Sequence, residues 1–216
     1  MVITIDGLGV NGKTTLAKMI SEKINFKNFN TGAIYRCIAL EIINKKLDIL
    51  DINTTLKNLE NIKIDFEKGK TYLNGTDVTT KIRTEEISVK STKWATIPEI
   101  KVLVRKIQKD FLEKYDTIME GRDIAERIAP NAEVKFYLYS DFEVRVKRLS
   151  DDMGISLEEA RKSLAIRDDL DINGGNFVKP KKSIEINTSD KTISQVYDIM
   201  LGEIYKKMKS KVLNFV

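Results

Sequence analysis

Residues 7–14 carry the pattern that most constrains this chain. They read Gly-Leu-Gly-Val-Asn-Gly-Lys-Thr and fit G-x-x-x-x-G-K-[ST]. The apolar, β-branched residues 2–5 precede the pattern, and apolar residues at helical spacing follow it as far as Ile24. A turn between such a strand and helix binds phosphate, because its backbone N–H groups and the positive end of the helix face the oxygens. The sequence therefore predicts a phosphate-binding loop at the start of an α/β domain.

Two side chains of this loop carry specific chemistry. Lys13 would place a positive charge on the β- and γ-phosphates of a nucleotide, and the Thr14 hydroxyl can hold Mg²⁺. The alternative is a glycine-rich turn with an incidental lysine. The strand before the turn and the helix after it favour the nucleotide site.

The composition removes several kinds of catalytic site. The 216 residues include no histidine and one cysteine, Cys37. Zinc sites that need histidine, Ser-His-Asp triads and an intramolecular disulfide are therefore excluded. Cys37 lies in an apolar helical stretch, so we expect it in the core. Acid–base or metal chemistry must use carboxylates, lysine, arginine, hydroxyls or the backbone.

The charge of the chain is mildly basic. It has 37 basic and 32 acidic residues, a net charge of +5. The lysines are scattered, which is typical of a solvated surface, and there is no basic stripe with stacking aromatics, so we expect no nucleic acid partner. We find no secretion signal and no apolar stretch of the roughly 20 residues that a membrane span needs. We therefore expect a cytoplasmic protein without membrane contact.

Hydrophobic periodicity predicts strands that alternate with helices along most of the chain. The expected strands cover residues 2–5, 117–119, 134–138 and 184–186. The expected helices cover residues 13–24, 33–46, 98–115, 141–150, 156–166 and 192–209. Many charges and Gly174-Gly175 predict a mobile loop over 168–182. The alternation indicates a three-layer α/β/α domain with a central parallel sheet.

Residues 62–82 differ from the rest of the chain. Ile62, Ile64 and Phe66 alternate with polar residues, and Asn74-Gly75 is a strong hairpin signal. The segment therefore predicts a small antiparallel insertion in the α/β domain.

A phosphate-binding loop alone leaves the protein class open. A GTPase-like switch, an ATPase and a small-molecule kinase all carry one. A switch protein would need a guanine-reading Asn-Lys-x-Asp, which the sequence lacks. The length also disfavours a motor or transporter ATPase, since these usually carry more domains.

Three further clusters resemble the bacterial cytidylate kinases. Residues 31–36, Thr-Gly-Ala-Ile-Tyr-Arg, resemble that family's [ST]-G-A-x-Y-R, and residues 120–124, Glu-Gly-Arg-Asp-Ile, resemble its E/D-G-R-D-I. Residues 167–173, Arg-Asp-Asp-Leu-Asp-Ile-Asn, resemble its R-D-x-x-D-x-N lid segment. Shorter matches lie at 82–84 and 95–98. The order and spacing agree from residue 2 to about 200, and together the motifs are highly specific.

The resemblance implies a single P-loop kinase domain over 1–216. The acceptor-binding insertion would cover about 38–90 and the short lid about 167–182. The implied reaction transfers the γ-phosphoryl group of ATP, with Mg²⁺, to CMP or dCMP, and we expect a monomer. A kinase for another nucleoside monophosphate such as UMP, or a non-catalytic nucleotide-binding relative, are the alternatives.

The resemblance and the loop motif together imply the donor site. Residues expected to bind ATP are Gly7, Leu8, Gly9, Val10, Asn11, Gly12, Lys13, Thr14, Thr15, Arg145 and Arg148. The two arginines lie three apart on one helix, so they could both reach phosphates; the alternative is a solvated helix face. Thr14 and Glu120, which ends a core strand, are the expected metal ligands.

The resemblance also implies the acceptor site. Residues expected to bind CMP are Thr31, Tyr35, Arg36, Thr92, Lys101, Arg122, Asp123, Arg167 and Asp171. The expected catalytic residues are Lys13, Arg122, Arg167 and Asp171. The Asp123 carboxylate would accept a hydrogen bond from the cytosine amine. Uracil has a carbonyl oxygen at that position, which the carboxylate would repel. Arg36 and Thr92 could instead be ordinary helix residues.

Four positions depart from the family pattern. Leu8 replaces a proline and Ala125 replaces a glycine. Lys101 replaces an arginine that reads the base, and Gly174 replaces a second lid arginine. We hypothesise that a nearby lysine, Lys179, Lys181 or Lys182, replaces the missing lid charge; the alternative is that all three are solvated.

Overall fold

A five-stranded parallel sheet forms the centre of the chain. The computed structural model describes residues 1–67 and 69–213, with side chains described through residue 210. The sheet has the order β2-β6-β1-β7-β8, and every neighbouring pair is parallel. Its strands are β1 (Val2–Asp6), β2 (Lys27–Asn30), β6 (Thr117–Gly121), β7 (Val134–Tyr139) and β8 (Ile184–Asn187). The antiparallel strands β3 (Ile64–Glu67), β4 (Lys70–Leu73) and β5 (Thr76–Asp77) form a separate small sheet.

Helices cover both faces of the parallel sheet. They are α1 (Lys13–Ile24), α2 (Thr31–Asn44), α3 (Ile52–Leu59), α4 (Glu85–Trp94), α5 (Pro98–Leu112), α6 (Phe142–Met153), α7 (Leu157–Ile172) and α8 (Ile193–Leu213). On one face, α1 and α8 pack against β1 through a cluster that contains Leu16, Ile5 and Met200. On the other face, α2 and α5 pack in a cluster that contains Ile38 and Val104. The predicted three-layer α/β/α architecture is confirmed.

The predicted antiparallel insertion is also confirmed. Leu73 pairs with Thr76 across a two-residue turn, and Asn74 and Gly75 have φ values of 50° and 82°. Two consecutive positive φ values define the tight hairpin turn that Asn-Gly favours. Cys37 is buried in the cluster that joins this insertion to α2, as expected of a core residue.

The expected loop over 168–182 is wrong in its first part, because α7 continues to Ile172. The charges that suggested a loop are paired inside the protein: Asp168 accepts from Arg145, and Asp171 from Arg122. The expected strands and helices also did not include β2, α3 and α4. Strand β2 lies at the sheet edge and reads Lys-Asn-Phe-Asn, so it lacks the apolar run of an inner strand.

The proposed domain limits extend beyond the described part of the chain. The expected domain over 1–216 includes residues 68 and 214–216, which lie outside the described residues. Within the described residues, no helix combines the length and apolar character that a membrane crossing requires.

The register of the sheet brings two motifs together. Asp6, which ends β1, lies opposite Gly121, which ends β6. The loops that follow both strands therefore leave the sheet at the same edge, the usual ligand-binding edge of parallel sheets. The phosphate-binding loop and the Arg122-Asp123 segment are neighbours for this reason.

A buried carboxylate joins these two loops. The Asp6 carboxylate accepts hydrogen bonds from the backbone N–H groups of Ile124 (2.8 Å) and Ala125 (2.9 Å). These residues begin a π-helical turn, Ile124–Ile128, which follows the Arg122-Asp123 segment. Burial raises the pKa of Asp6 to about 7, although the two N–H donors oppose that rise. Because both carboxylate oxygens accept, the ionised form fits this turn.

We predict that Asp6→Asn lowers the free energy of unfolding by about 1–3 kcal/mol, because an amide turns one N–H donor toward another and leaves both unsatisfied. Urea denaturation at a pH above the Asp6 pKa measures the change. The exposed Asp198 of α8 supplies the control, Asp198→Asn, which should unfold like the wild type. Equal stability of Asp6→Asn and wild type would contradict the role of Asp6.

Candidate active site

The phosphate-binding loop depends on glycine at its first position. Gly7 has φ 149°, and a Cβ atom there would collide with the carbonyl oxygen of Leu138 on β7. Val10 and Gly12 have φ values of 64° and 78°, so the backbone curls before α1 begins at Lys13. The loop is thus held against the sheet in the curled form that cradles phosphate.

The Lys13 side chain lies inside this curl. Its ammonium group donates to the carbonyl oxygen of Leu8 at 2.6 Å, and the residue is buried. Burial lowers the pKa of Lys13, and the neighbouring Arg122 lowers it further. A desolvated cation at this point interacts strongly with an anion that enters the loop.

Thr14 and Glu120 provide oxygen ligands beside the loop. The Thr14 hydroxyl donates to one Glu120 carboxylate oxygen at 3.0 Å, and the Asn30 amide donates to the other at 2.7 Å. Among the described residues no cluster of acidic, histidine and cysteine side chains could enclose a metal by itself. This donor set fits Mg²⁺, which takes few protein oxygens and completes its shell with water and phosphates.

One pocket gathers every residue that the sequence suggested for the acceptor. It lies between α2, α4, α5, α7 and the end of β6. The predicted residues that line it are Thr31, Tyr35, Arg36, Thr92, Lys101, Arg122, Asp123, Arg167 and Asp171. These residues come from distant parts of the sequence, so the fold brings together residues of separate sequence motifs.

Arginines concentrate at the end of the pocket next to the phosphate-binding loop. A Cβ atom on Gly9 would lie 3.5 Å from Nη2 of Arg167 and 3.7 Å from Nη2 of Arg122. Arg122 is paired with Asp171, whereas the buried Nε of Arg167 has no hydrogen-bond partner among the described residues. Burial, followed by the charges of Arg167 and Arg122, lowers the pKa of Arg36 to about 10. This concentration of positive charge suits phosphate groups.

Asp123 lines the same pocket as the arginines. Its carboxylate pairs with Arg127 at 3.2 Å, and burial raises its pKa. Lys101 lines the same region, and burial lowers the pKa of its ammonium group. The Thr92 hydroxyl donates to the carbonyl oxygen of Ser88 at 2.9 Å, which leaves its lone pairs available as acceptors.

The structure separates the two arginines expected at the ATP phosphates. Arg145 is buried, pairs with Asp168 at 2.7 Å and approaches the carbonyl oxygen of Gly9 at 3.4 Å. Arg148 instead donates to the Thr188 hydroxyl at 3.1 Å, just beyond β8. Of these two arginines, Arg145 is therefore the one with a hydrogen bond to the phosphate-binding loop among the described residues. Thr15, also expected in the ATP site, lies on the exposed side of α1.

The segment after α7, which is the expected lid, is docked on the loop that follows β6. Val178 donates its N–H to the carbonyl oxygen of Arg122 at 3.0 Å, and Arg127 donates to the carbonyl oxygen of Gly175 at 2.7 Å. A Cβ atom on Gly174 would collide with the carbonyl oxygen of Leu170. An arginine at position 174 would therefore require the backbone to move.

The lid lysines do not approach the arginine cluster in this arrangement. Lys179 pairs with Glu185 at 2.9 Å and lies over the Tyr137 ring, 5.3 Å from its centroid. Lys181 and Lys182 are exposed. These contacts favour the alternative that the three lysines are surface charges, and the replacement hypothesis stays a prediction.

Comparison with known proteins identifies the family to which this site belongs. The family model described as cytidylate kinase matches residues 3–206. The chain belongs to the cytidylate kinase family. A cytidylate kinase of Fusobacterium nucleatum is 34% identical over 213 residues, which cover 95% of this chain and 98% of that protein. One of Thermotoga maritima is 32% identical over 218 residues, covering 96% and 98%.

Solved structures agree with the fold. A gluconokinase of Sinorhizobium meliloti superposes with a TM-score of 0.50 at 10% identity, covering 99% of this chain and 96% of that one. At this identity the likeness shows the P-loop kinase fold alone. As a member of the cytidylate kinase family, the chain is a phosphotransferase.

The sequence motifs of the cytidylate kinase family missed some pocket residues. Arg105 and Gln108 of α5 line the pocket, as do Ser91 and Asn176. Gln108 donates to the Thr31 hydroxyl at 3.0 Å and so orients it. The spacing of Lys101, Arg105 and Gln108 places them on one helix face, a signal present in the sequence.

We predict that kcat/KM for ATP falls as the pH rises through a range well below the pKa of free lysine. The depressed pKa of Lys13 means that its charge is lost there, and kcat/KM reports groups of the free enzyme. In the pH profile of kcat the same alkaline decline should occur at higher pH, because bound phosphates stabilise the ammonium form of Lys13.

Steady-state assays across the alkaline range measure both profiles. Lys13→Met should no longer show the alkaline decline of kcat/KM. Lys18→Met, at an exposed lysine of the same helix, should still show it. A wild-type kcat/KM that stays constant up to the pKa of free lysine would contradict the assignment.

Proposed function

We propose that this protein transfers the γ-phosphoryl group of ATP to CMP or dCMP. One observation carries the proposal: the residues suggested for the acceptor line one pocket. In this pocket Arg122 and Arg167 lie beside Gly9, while Asp123 pairs with Arg127. A monophosphate bound there would direct its phosphate at the loop and its base at Asp123. The names of the relatives support the same acceptor class.

The proposed mechanism relies on position and charge. An oxygen of the acceptor phosphate attacks the γ-phosphorus of ATP, the bond to the β-phosphate bridging oxygen breaks, and ADP leaves. Arg122 and Arg167 would hold the two phosphates in line, while Lys13 neutralises charge on the donor. Such transfers need little covalent chemistry from the protein, so the absence of histidine from the sequence is no obstacle.

Thr14 and Glu120 would hold Mg²⁺ at the donor phosphates. When bound, the ion would neutralise charge shared by the β- and γ-phosphate oxygens. Burial raises the pKa of Glu120, while the charge of Lys13 and the Thr14 hydrogen bond oppose that rise. These contacts favour the ionised carboxylate that a metal requires.

A kinase with another pyrimidine acceptor is the second candidate. This candidate is favoured by Lys101, which stands where the family has an arginine that reads the base. An ammonium group is a single point charge and cannot form the paired hydrogen bonds of a guanidinium. Release of ADP with CMP, dCMP, UMP, AMP and GMP separates the candidates. We expect turnover highest with CMP or dCMP; highest turnover with UMP would favour the rival, and no turnover with any acceptor would contradict both.

We predict that Asp123→Ala reduces the preference for CMP over UMP by about 1–3 kcal/mol, because it removes the acceptor for the cytosine amine. The ratio of kcat/KM for the two acceptors measures the change. Asp110→Ala, at an exposed carboxylate of α5, is the matched control and should leave the ratio unchanged. If Asp123→Ala remains active with an unchanged ratio, Asp123 does not read the base.

A further inference from the structure

The part of the acceptor pocket near Asp123, where we propose that the base binds, contains more positively charged residues than the family motifs include. Helix α5 contributes Lys101 and, one turn later, Arg105, and both line the pocket. Residues four apart lie on one helix face, so both side chains approach the same region. Arg127 adds a third cation beside Asp123, and its charge also acts on Lys101.

These cations differ in the hydrogen bonds and ion pairs that they already make. Arg127 donates to the Asp123 carboxylate and to the carbonyl oxygen of Gly175. Arg105 makes no hydrogen bond or ion pair with the side chains and backbone that the structure describes, and it is exposed at the pocket. A whole guanidinium group is therefore available to a ligand.

The charge of Arg105 reaches the base-reading carboxylate. After burial, which raises the pKa of Asp123, the opposing effects are those of Arg127, then Arg105, then Lys101. Burial raises the pKa of Tyr35 on the facing helix, and the charge of Arg105 opposes that rise. The guanidinium group thus acts on Asp123 more strongly than the ammonium group of Lys101 does.

Cytosine presents three hydrogen-bonding groups in a row on one edge: the N4 amine donates, and N3 and O2 accept. A carboxylate matches the first, and the paired N–H groups of a guanidinium match the other two. Lysine cannot donate two parallel hydrogen bonds in this way. In uracil N3 carries a hydrogen, which would face a donor of the guanidinium.

We propose that Arg105 is a specificity-determining residue that binds N3 and O2 of the cytosine base while Asp123 binds the N4 amine. The proposal rests on the proposed function and assigns the recognition of these two atoms to the helix turn after Lys101. It explains how the pocket can select cytosine although a lysine stands where the family has its base-reading arginine.

The test compares kcat/KM for CMP and UMP in the wild type and in α5 variants. Arg105→Ala should lower the CMP-to-UMP ratio about tenfold or more, the usual effect of losing a paired contact to a base. Arg105→Lys should recover only part of this ratio, because it restores the charge without the paired donors. Lys106→Ala, at the adjacent exposed residue outside the pocket, should keep the wild-type ratio.

A rescue variant tests the geometry directly. Adding Lys101→Arg to Arg105→Ala returns a guanidinium group one turn earlier and should restore part of the ratio, while KM for ATP stays constant throughout. Two results would overturn the proposal. In the first, Arg105→Ala lowers kcat/KM for both acceptors equally. In the second, Lys101→Ala lowers the CMP-to-UMP ratio while Arg105→Ala leaves it unchanged.

Failure of the proposed function is visible separately. It would show in the wild type, by absent turnover and by absent CMP binding in calorimetry, and would overturn this proposal with it. Failure of the Arg105 proposal alone would show only in the variants of an enzyme that phosphorylates CMP.

Discussion

Repulsion among closely placed arginines is the constraint on which this site depends. Arg122 and Arg167 lie beside Gly9, and the charge of Arg36 acts on both. Within the described side chains, Asp171 is the carboxylate that pairs with this group. Burial and mutual repulsion lower the pKa values of Arg36 and Arg167. Keeping such charges together costs free energy, which bound phosphate groups can offset. The site is therefore arranged for an anion.

The sheet supplies the rigidity that this arrangement needs. Parallel pairing of β1 with β6 brings the phosphate-binding loop and the Arg122-Asp123 segment to one edge, and Asp6 fixes their separation through two backbone hydrogen bonds. Asn30 adds a second link. Its amide nitrogen donates to Glu120, while its oxygen accepts from the N–H of Ala33 at the start of α2. One side chain thus links Glu120, a proposed metal ligand, to the start of α2.

Much of this structure could be predicted from the sequence because its signals are local. The glycines of the phosphate-binding loop, the Asn74-Gly75 turn and the apolar run of β1 each specify the conformation of their own segment. Other features depend on contacts between distant residues. The charges of Asp168 and Asp171 suggested a loop, but pairing with Arg145 and Arg122 lets α7 continue through them. The separation of Arg145 from Arg148 likewise follows from tertiary contacts with Asp168 and Thr188.

In the proposed function, the donor and acceptor nucleotides meet at Arg122 and Arg167 beside Gly9. Calorimetric titration with adenosine and cytidine joined through a chain of phosphates tests it most directly. We expect one molecule bound per chain, competition with both ATP and CMP, and an affinity above that of either nucleotide, because the second contact is intramolecular. Arg167→Ala should lose most of this gain. If the joined compound competes with only one nucleotide, or binds no more tightly than ATP, the two sites do not meet at these arginines.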